Sequence, residues 1–436
     1  MNKKFGKSAA AGLLIGMAVL VSGCSKTEDL TETYEPPKQI WVREADAEGE
    51  LPASYDPRKE ALELPVKDQG NQNACWAVSA MSALEILDKN REGNFSIEHL
   101  LNNNGFQYTE DSGGDYHMIL AYLTSWKGPV YEESNGDEAV RHLQEAYFID
   151  GQDFQEVKSA VLKYGSVQSS MYLSFENEGS LTEDYDLKHS SYFSREKMKA
   201  NHAVLIVGWD DQYPKENFKV QPQNDGAFIC LNSWGEGFGE SGYFYVSYED
   251  VNIAEKSLVY TRLEPVGNYD HMYQSDLLGC AGMIGYDEDH AWFANVYPSE
   301  ANEHLKAAGF YIVDPDVDFE IYAVADLSDP SDLTNQAVYL SSGHCDRAGY
   351  YTVDFPEDVA VEAGNKFAVV IKIYSEKNQS RFGAEYAASE ATSQVDLTDG
   401  ESYMSYNGED WKSVESDYQS NLCLKVFTDR EEALNE

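Results

Sequence analysis

The chain has 436 residues, 42% of them hydrophobic and 13% aromatic, too long for one ordinary core and too apolar for a disordered protein. Its formal net charge is −44, from 32 Lys and Arg against 76 Asp and Glu. Such a surface repels nucleic acid and anionic lipid headgroups, so neither is expected as a ligand, and it otherwise speaks for solubility rather than for any chemistry.

Residues 1–24 have the build of a targeting segment. Lys3, Lys4 and Lys7 form a basic start, Ala9 to Val21 an apolar core too short to span a bilayer, and Leu20-Val21-Ser22-Gly23-Cys24 a small-residue ending. That ending resembles the lipobox of bacterial lipoproteins. The resemblance implies cleavage before Cys24, acylation of its thiol, and a mature protein anchored at the outer face of the cytoplasmic membrane; a plain secretory signal ending at a cysteine is the alternative. Residues 25–51 are acidic and contain Pro36 and Pro37, and they read as a flexible tether. About 27 residues reach on the order of 90 Å when extended.

From Pro65 to Asp88 a Gly/Asn-rich loop leads into Ala77, Val78, Met81, Leu84 and Leu87, whose three- and four-residue spacing predicts a helix with Cys75 in its first turn. Asn73 is the expected cap. A thiol at a helix N-terminus is lowered toward thiolate by free N–H groups and the macrodipole, although most free cysteines are small buried hydrophobes. A thiolate nucleophile needs a base and a group that orients the base. Both candidates lie downstream: His202 heads the apolar run Ala203 to Trp209, and Asn232 ends the run Ala227 to Leu231. They follow Cys75 by 127 and 157 residues, near the order and separation of papain-type sites. Cys230, Cys280, Cys345 and Cys423 are widely spaced, with no CxxC, and are expected as buried free thiols.

At this point the chain resembles the papain-like cysteine peptidases. The resemblance is carried by Pro65 to Ala80, Asn201 to Trp209 and Asn232 to Tyr245. Gly113-Gly114 with Ile119 to Leu123, and Val157 to Val167, add weaker matches. It implies an α+β fold of a helical lobe and a β-barrel-like lobe over residues 52–262. It further implies Cys75 as nucleophile, His202 as its ion-pair partner and general acid/base, Asn232 as the orienting side chain, and Gln69 as oxyanion donor. Trp234 would cover the His202–Asn232 hydrogen bond at the substrate cleft, and Gly113 and Gly114 would let an extended substrate approach. The pattern departs from the family at Gln72-Asn73-Ala74-Cys75-Trp76, which lacks the second cysteine three residues before the nucleophile. The tether also leaves no room for a helical inhibitory propeptide of the kind many relatives carry, so an enzyme active without zymogen processing is expected. Residues 174–200 form a polar insertion expected on the rim of the cleft.

After Tyr260 short alternating runs recur at Leu305 to Val313, Phe319 to Ala325, Tyr350 to Phe355, Lys366 to Tyr374 and Asn421 to Phe427. They predict an all-β antiparallel sandwich over residues 263–436. Asn268 to Gln274 and Ala291 to Tyr297 resemble the lectin-like sandwich joined to papain-like peptidases of gut-type Gram-positive anaerobes. Trp292, Tyr297 and Trp411 could stack on sugars, but core or strand-face roles are favoured. Asp314, Asp316 and Asp318 fail as an EF-hand loop because Phe319 stands where glycine is needed, and His344-Cys345 is an isolated pair.

The expectation is therefore a lipid-anchored extracellular cysteine endopeptidase, monomeric, with no cofactor and no metal. Its substrates would be proteins or peptides, and its second domain would take a glycan or cell-surface ligand. A cell-surface adhesin or carbohydrate-binding protein using the peptidase fold as scaffold is the alternative, and a hydrolase of cell-wall peptides a third reading.

Overall fold

The computed structural model describes residues 40–41 and 51–431, apart from 61–63, 108–112, 135, 177–179, 378 and 399. The signal segment, Cys24 and nearly all of the tether lie outside the described residues. Ile40–Trp41, within the tether, form a short strand parallel to Ser342 and Gly343. No helix among the described residues is long and apolar enough to cross a membrane.

The peptidase-like half is built on α1, Cys75–Leu87. Every residue from Trp76 to Glu85 is buried, because α1 is covered on both sides. On one side lie α2 (Ile97–Asn103) and α3 (Tyr116–Thr124); on the other lies an antiparallel sheet. Glu85, fully buried on α1, is held by Lys67 Nζ at 3.0 Å and accepts the Phe95 N–H at 2.7 Å. Ser96 and Asp115 cap α2 and α3, while α4 (Phe154–Tyr164) starts on Asp153 and ends at Gly165 in the left-handed region, φ 93°. The sheet uses Val167–Met171, His202–Asp210, Ala227–Leu231 and Tyr243–Ser247 in turn, with Met171 opposite His202 and Leu205 opposite Leu231. All residues of the His202 strand except its last are buried, as its unbroken apolar run requires.

The second half is the expected sandwich. One sheet centres on Val317–Val324, Lys366–Tyr374 and His290–Pro298; the facing one on Leu424–Arg430, Glu303–Ile312 and Gly349–Val361. Phe293 stacks on Phe382 and Phe310 meets Phe319 edge-on between them. Of the aromatics considered for sugar stacking, Tyr297 is core, while Trp292 and Trp411 are half-buried in a small cluster with Val296 and Val370.

The halves share a sheet. Lys256–Pro265 pairs along its length with Arg141–Asp150, and that strand pairs on its other edge with Gly349–Tyr351 of the sandwich. The ladder runs on from the sandwich into the strands that carry His202 and Asn232. The boundary drawn at 262/263 falls inside the Lys256–Pro265 strand. Side chains reinforce the junction: Trp126 stacks between His142, at 3.9 Å, and Phe427, at 5.5 Å. His142 Nδ1 also meets Asn268 Oδ1 at 2.7 Å.

Candidate active site

The structure corrects the expected cap of α1. The cap position is Ala74, with no side-chain hydrogen bond, and Asn73 stands one residue too early. An uncapped start leaves the first N–H groups for other acceptors. Here the Trp76 N–H, and that of Ala203 from the facing strand, are directed to the Cys75 sulfur.

Cys75 is half-buried and faces His202 within hydrogen-bonding reach. Burial alone would raise the thiol, but the charge and hydrogen bond of His202, with the two N–H groups, hold it below its ordinary value. Burial likewise opposes the charged imidazole. The thiolate, its hydrogen bond and Asn232 outweigh that and raise His202 above its ordinary value. His202 Nε2 donates to Asn232 Oδ1 at 2.7 Å, which leaves Nδ1 for Cys75. Asn232 follows the Ala227–Leu231 strand directly, and its backbone N–H is fixed on the Gly242 carbonyl at 2.9 Å. It is 2% exposed, and its Nδ2 has no hydrogen-bond partner.

Trp234 lies 5.3 Å from the His202 ring, centroid to centroid, and walls the imidazole from solvent. It is held edge-on by Phe238 at 4.9 Å and by Phe175 at 5.8 Å. Phe175 comes from the insertion at 174–200, which also brings Glu176 and Lys199 to the cleft. The cleft measures about 700 Å³ and gathers Cys75, His202, Gln69, Gly113, Gly114 and Trp234 on its walls.

Gln69 is oriented from both sides. Its Oε1 accepts from Ser233 Oγ at 2.5 Å and its Nε2 donates to the Gln72 carbonyl at 2.6 Å, which leaves one Nε2 hydrogen. Gly113 sits at φ +65° in open space, as a backbone met by substrate would. Gly114 has a different reason to be glycine: a Cβ there would lie 2.3 Å from the Trp76 indole.

Three contributors have no role assigned from the sequence, although Ser233 lies within the Asn232 to Tyr245 segment. Ser233 orients Gln69, and Phe175 backs Trp234. Gln168, fully buried, donates to the Trp76 carbonyl at 2.9 Å and to Ser79 Oγ at 2.8 Å, and accepts from Tyr260 at 2.7 Å, tying the start of α1 to the sheet.

Cys230, Cys280, Cys345 and Cys423 are buried, in no disulfide among the described residues. Outside the cleft, Asp316, His344 and Asp346 bring one ligand atom each within 4.8 Å of one another, a grouping that the sequence separation of His344 from the Asp run concealed. Asp318 also meets His344 Nδ1 at 2.7 Å, and Lys377 Nζ already sits 3.0 Å from Asp316.

Residues 51–261 match the papain family of cysteine proteases, and residues 272–428 match the lectin-like domain family. Cathepsin K of Mus musculus is 27% identical over 215 residues, 45% of this chain and 60% of the relative. Cathepsin S of Bos taurus is 26% identical over 249 residues, 51% of this chain and 69% of the relative. The chain thus spans less than two thirds of the mouse relative's length. Among solved structures, the clostridial cysteine protease Cwp84 after propeptide cleavage superposes with a TM-score of 0.77 at 25% identity, over 87% of this chain and 99% of that one. A second structure holds the cysteine protease and lectin-like domains of Cwp84, described as a surface layer associated protein of Clostridium difficile. It shares the fold at a TM-score of 0.77 and 24% identity, over 87% and 89% of the two chains.

Proposed function

The chain belongs to the papain family of cysteine proteases over residues 51–261 and carries a lectin-like domain behind it, and from that premise we propose that it is a thiol endopeptidase working through Cys75, His202, Asn232 and Gln69. The observation that carries the reading is the buried His202, held on Asn232 at 2.7 Å with its other nitrogen toward Cys75.

The resting pair is thiolate and imidazolium. Cys75 Sγ attacks the scissile carbonyl carbon, and the displaced electron pair moves to oxygen, where the Cys75 N–H and the remaining Gln69 Nε2 hydrogen receive it. One such donor lowers a barrier by about 2.7–4 kcal/mol. As the intermediate collapses, His202 Nδ1–H protonates the leaving amine and a thioester remains. Neutral His202 then takes a proton from water, the hydroxide attacks the thioester, and Cys75 leaves as thiolate. Asn232 holds the imidazole in the plane that serves both transfers, and Trp234 keeps water from that bond.

We read Cys24 as the acylated anchor, residues 25–51 as its tether, and the outer face of the cytoplasmic membrane as the location; Cys24→Ser should release the protein from membrane pellets. The lectin-like domain would then hold a surface ligand near the cleft. The enzyme test is incubation with an epoxide inhibitor of papain-like enzymes followed by intact mass. A single adduct, absent in Cys75→Ala, is expected. A folded protein that gains no mass contradicts an activated thiolate.

A further inference from the structure

A second groove, of about 910 Å³, adjoins the catalytic cleft, and Gln69 lines both. It lies between the oxyanion loop and α2. Its walls carry three carboxylates, Asp68, Glu98 and Glu132, around the half-buried apolar side chains of Ile97, Leu101 and Phe106. None of the described residues lining it is basic. The neighbouring cation, Lys67, is 10% exposed and is already shared between buried Glu85 at 3.0 Å and Glu132 at 3.3 Å. Asp68 and Glu98, both exposed, therefore set the sign of the groove.

Its direction follows from the cleft. The leaving amine must face His202, the proton donor, and Trp234 lies beside the His202 ring with its backbone bridged to that of Asp68. The chain beyond the scissile bond thus reaches the acidic groove.

We propose that this groove receives the leaving-group side of the substrate and selects lysine or arginine there, with the aliphatic stem on Ile97, Leu101 and Phe106 and the cation between Asp68 and Glu98. Long basic side chains bury their methylenes on apolar surface while the charge stays at a polar rim. The net charge of −44 acts in the same direction by drawing basic substrates toward the enzyme. This inference rests on the endopeptidase reading above.

The test uses internally quenched peptides identical on the acyl side, with Lys, norleucine or Glu at each of the first three positions after the scissile bond. A fluorogenic substrate with no residue beyond that bond runs in parallel. At one position at least, kcat/KM should favour Lys over Glu by about 10-fold or more, with norleucine between, and 0.5 M salt should shrink the ratio. Glu98→Lys should cut that ratio at least about fivefold, and the milder Glu98→Gln should cut it less. Turnover of the short substrate with equal rates for Lys and Glu peptides overturns the groove assignment alone. No turnover of any substrate overturns the endopeptidase reading beneath it.

Discussion

Two buried polar clusters, one in each half of the molecule, invite comparison. In the peptidase domain, Cys75 and His202 line an open cleft, and Asn232 is buried behind His202. In the lectin-like domain, Lys425 and Asp276 form an ion pair at 2.8 Å with neither side chain exposed, and Glu385 stands beside them on the Leu278 N–H. Burial, followed by the charge of Asp276, pushes Glu385 up to about 7, and burial also raises Asp276 against the charge of Lys425. Both clusters shift their protonation equilibria. The first meets the cleft and shares its proton between groups that can reach a substrate, whereas Lys425, Asp276 and Glu385 are sealed from solvent, so perturbed titration marks strain in general and chemistry only where there is access.

The comparison breaks most sharply at the nucleophile. Cys75→Ala should lower peptide hydrolysis by at least about 10³-fold and leave the melting transition in place, since it removes the covalent step but little packing. His202→Ala should cost about 10²–10⁴-fold, and Asn232→Ala less than His202→Ala, because the amide orients the ring and transfers no proton. Equal or reversed losses would remove the positioning role from Asn232. In the sealed cluster the corresponding experiment reads stability. Lys425→Met strands Asp276 in the interior and should cost about 3–5 kcal/mol in chemical denaturation, with kcat of the folded fraction unaltered.

Two pH profiles sharpen the contrast further. The folded protein keeps a proton on Glu385 that the unfolded chain gives up first, near the ordinary glutamate value. Stability from this group is therefore complete below about pH 4.5 and is lost as the pH rises toward 7, by about 1–3 kcal/mol. Glu385→Gln should flatten that slope. Activity behaves the other way in acid, because the productive ion pair needs an ionised Cys75 and a charged His202. A bell is expected, with its acid limb set by a thiol held below the ordinary value and its alkaline limb by a histidine held above it.

The catalytic words of the sequence were legible because each couples a reactive residue to the local pattern that presents it. Cys75 opens a helical period, His202 opens a buried strand and Asn232 closes one. Contacts made across long separations had no such local trace: Gln168 reaches Trp76 from 92 positions away, and Ser233, though inside a recognised segment, reaches Gln69 from 164. The sandwich strands emerged from alternation, whereas Arg141–Asp150 was missed. Its His142, Gln144 and Glu145 are buried at the junction between halves, so neither face has the polarity that a solvent-facing strand shows. The cap of α1 was misplaced for a related reason. The start of α1 turns the Trp76 N–H to the Cys75 sulfur rather than to a capping side chain, and Asn73 fits the statistics of caps better than it fits this geometry.

The shared ladder has one more consequence, for the joint between the halves. On the endopeptidase reading proposed above, the cleft takes its substrate as extended backbone with free hydrogen-bonding edges. Between these two domains, where a loose linker would offer that conformation, Lys256–Pro265 is already paired with Arg141–Asp150. The strand that joins the catalytic and lectin-like halves is therefore held as ladder rather than as free extended chain, and parting the two halves requires unzipping the sheet that also carries His202.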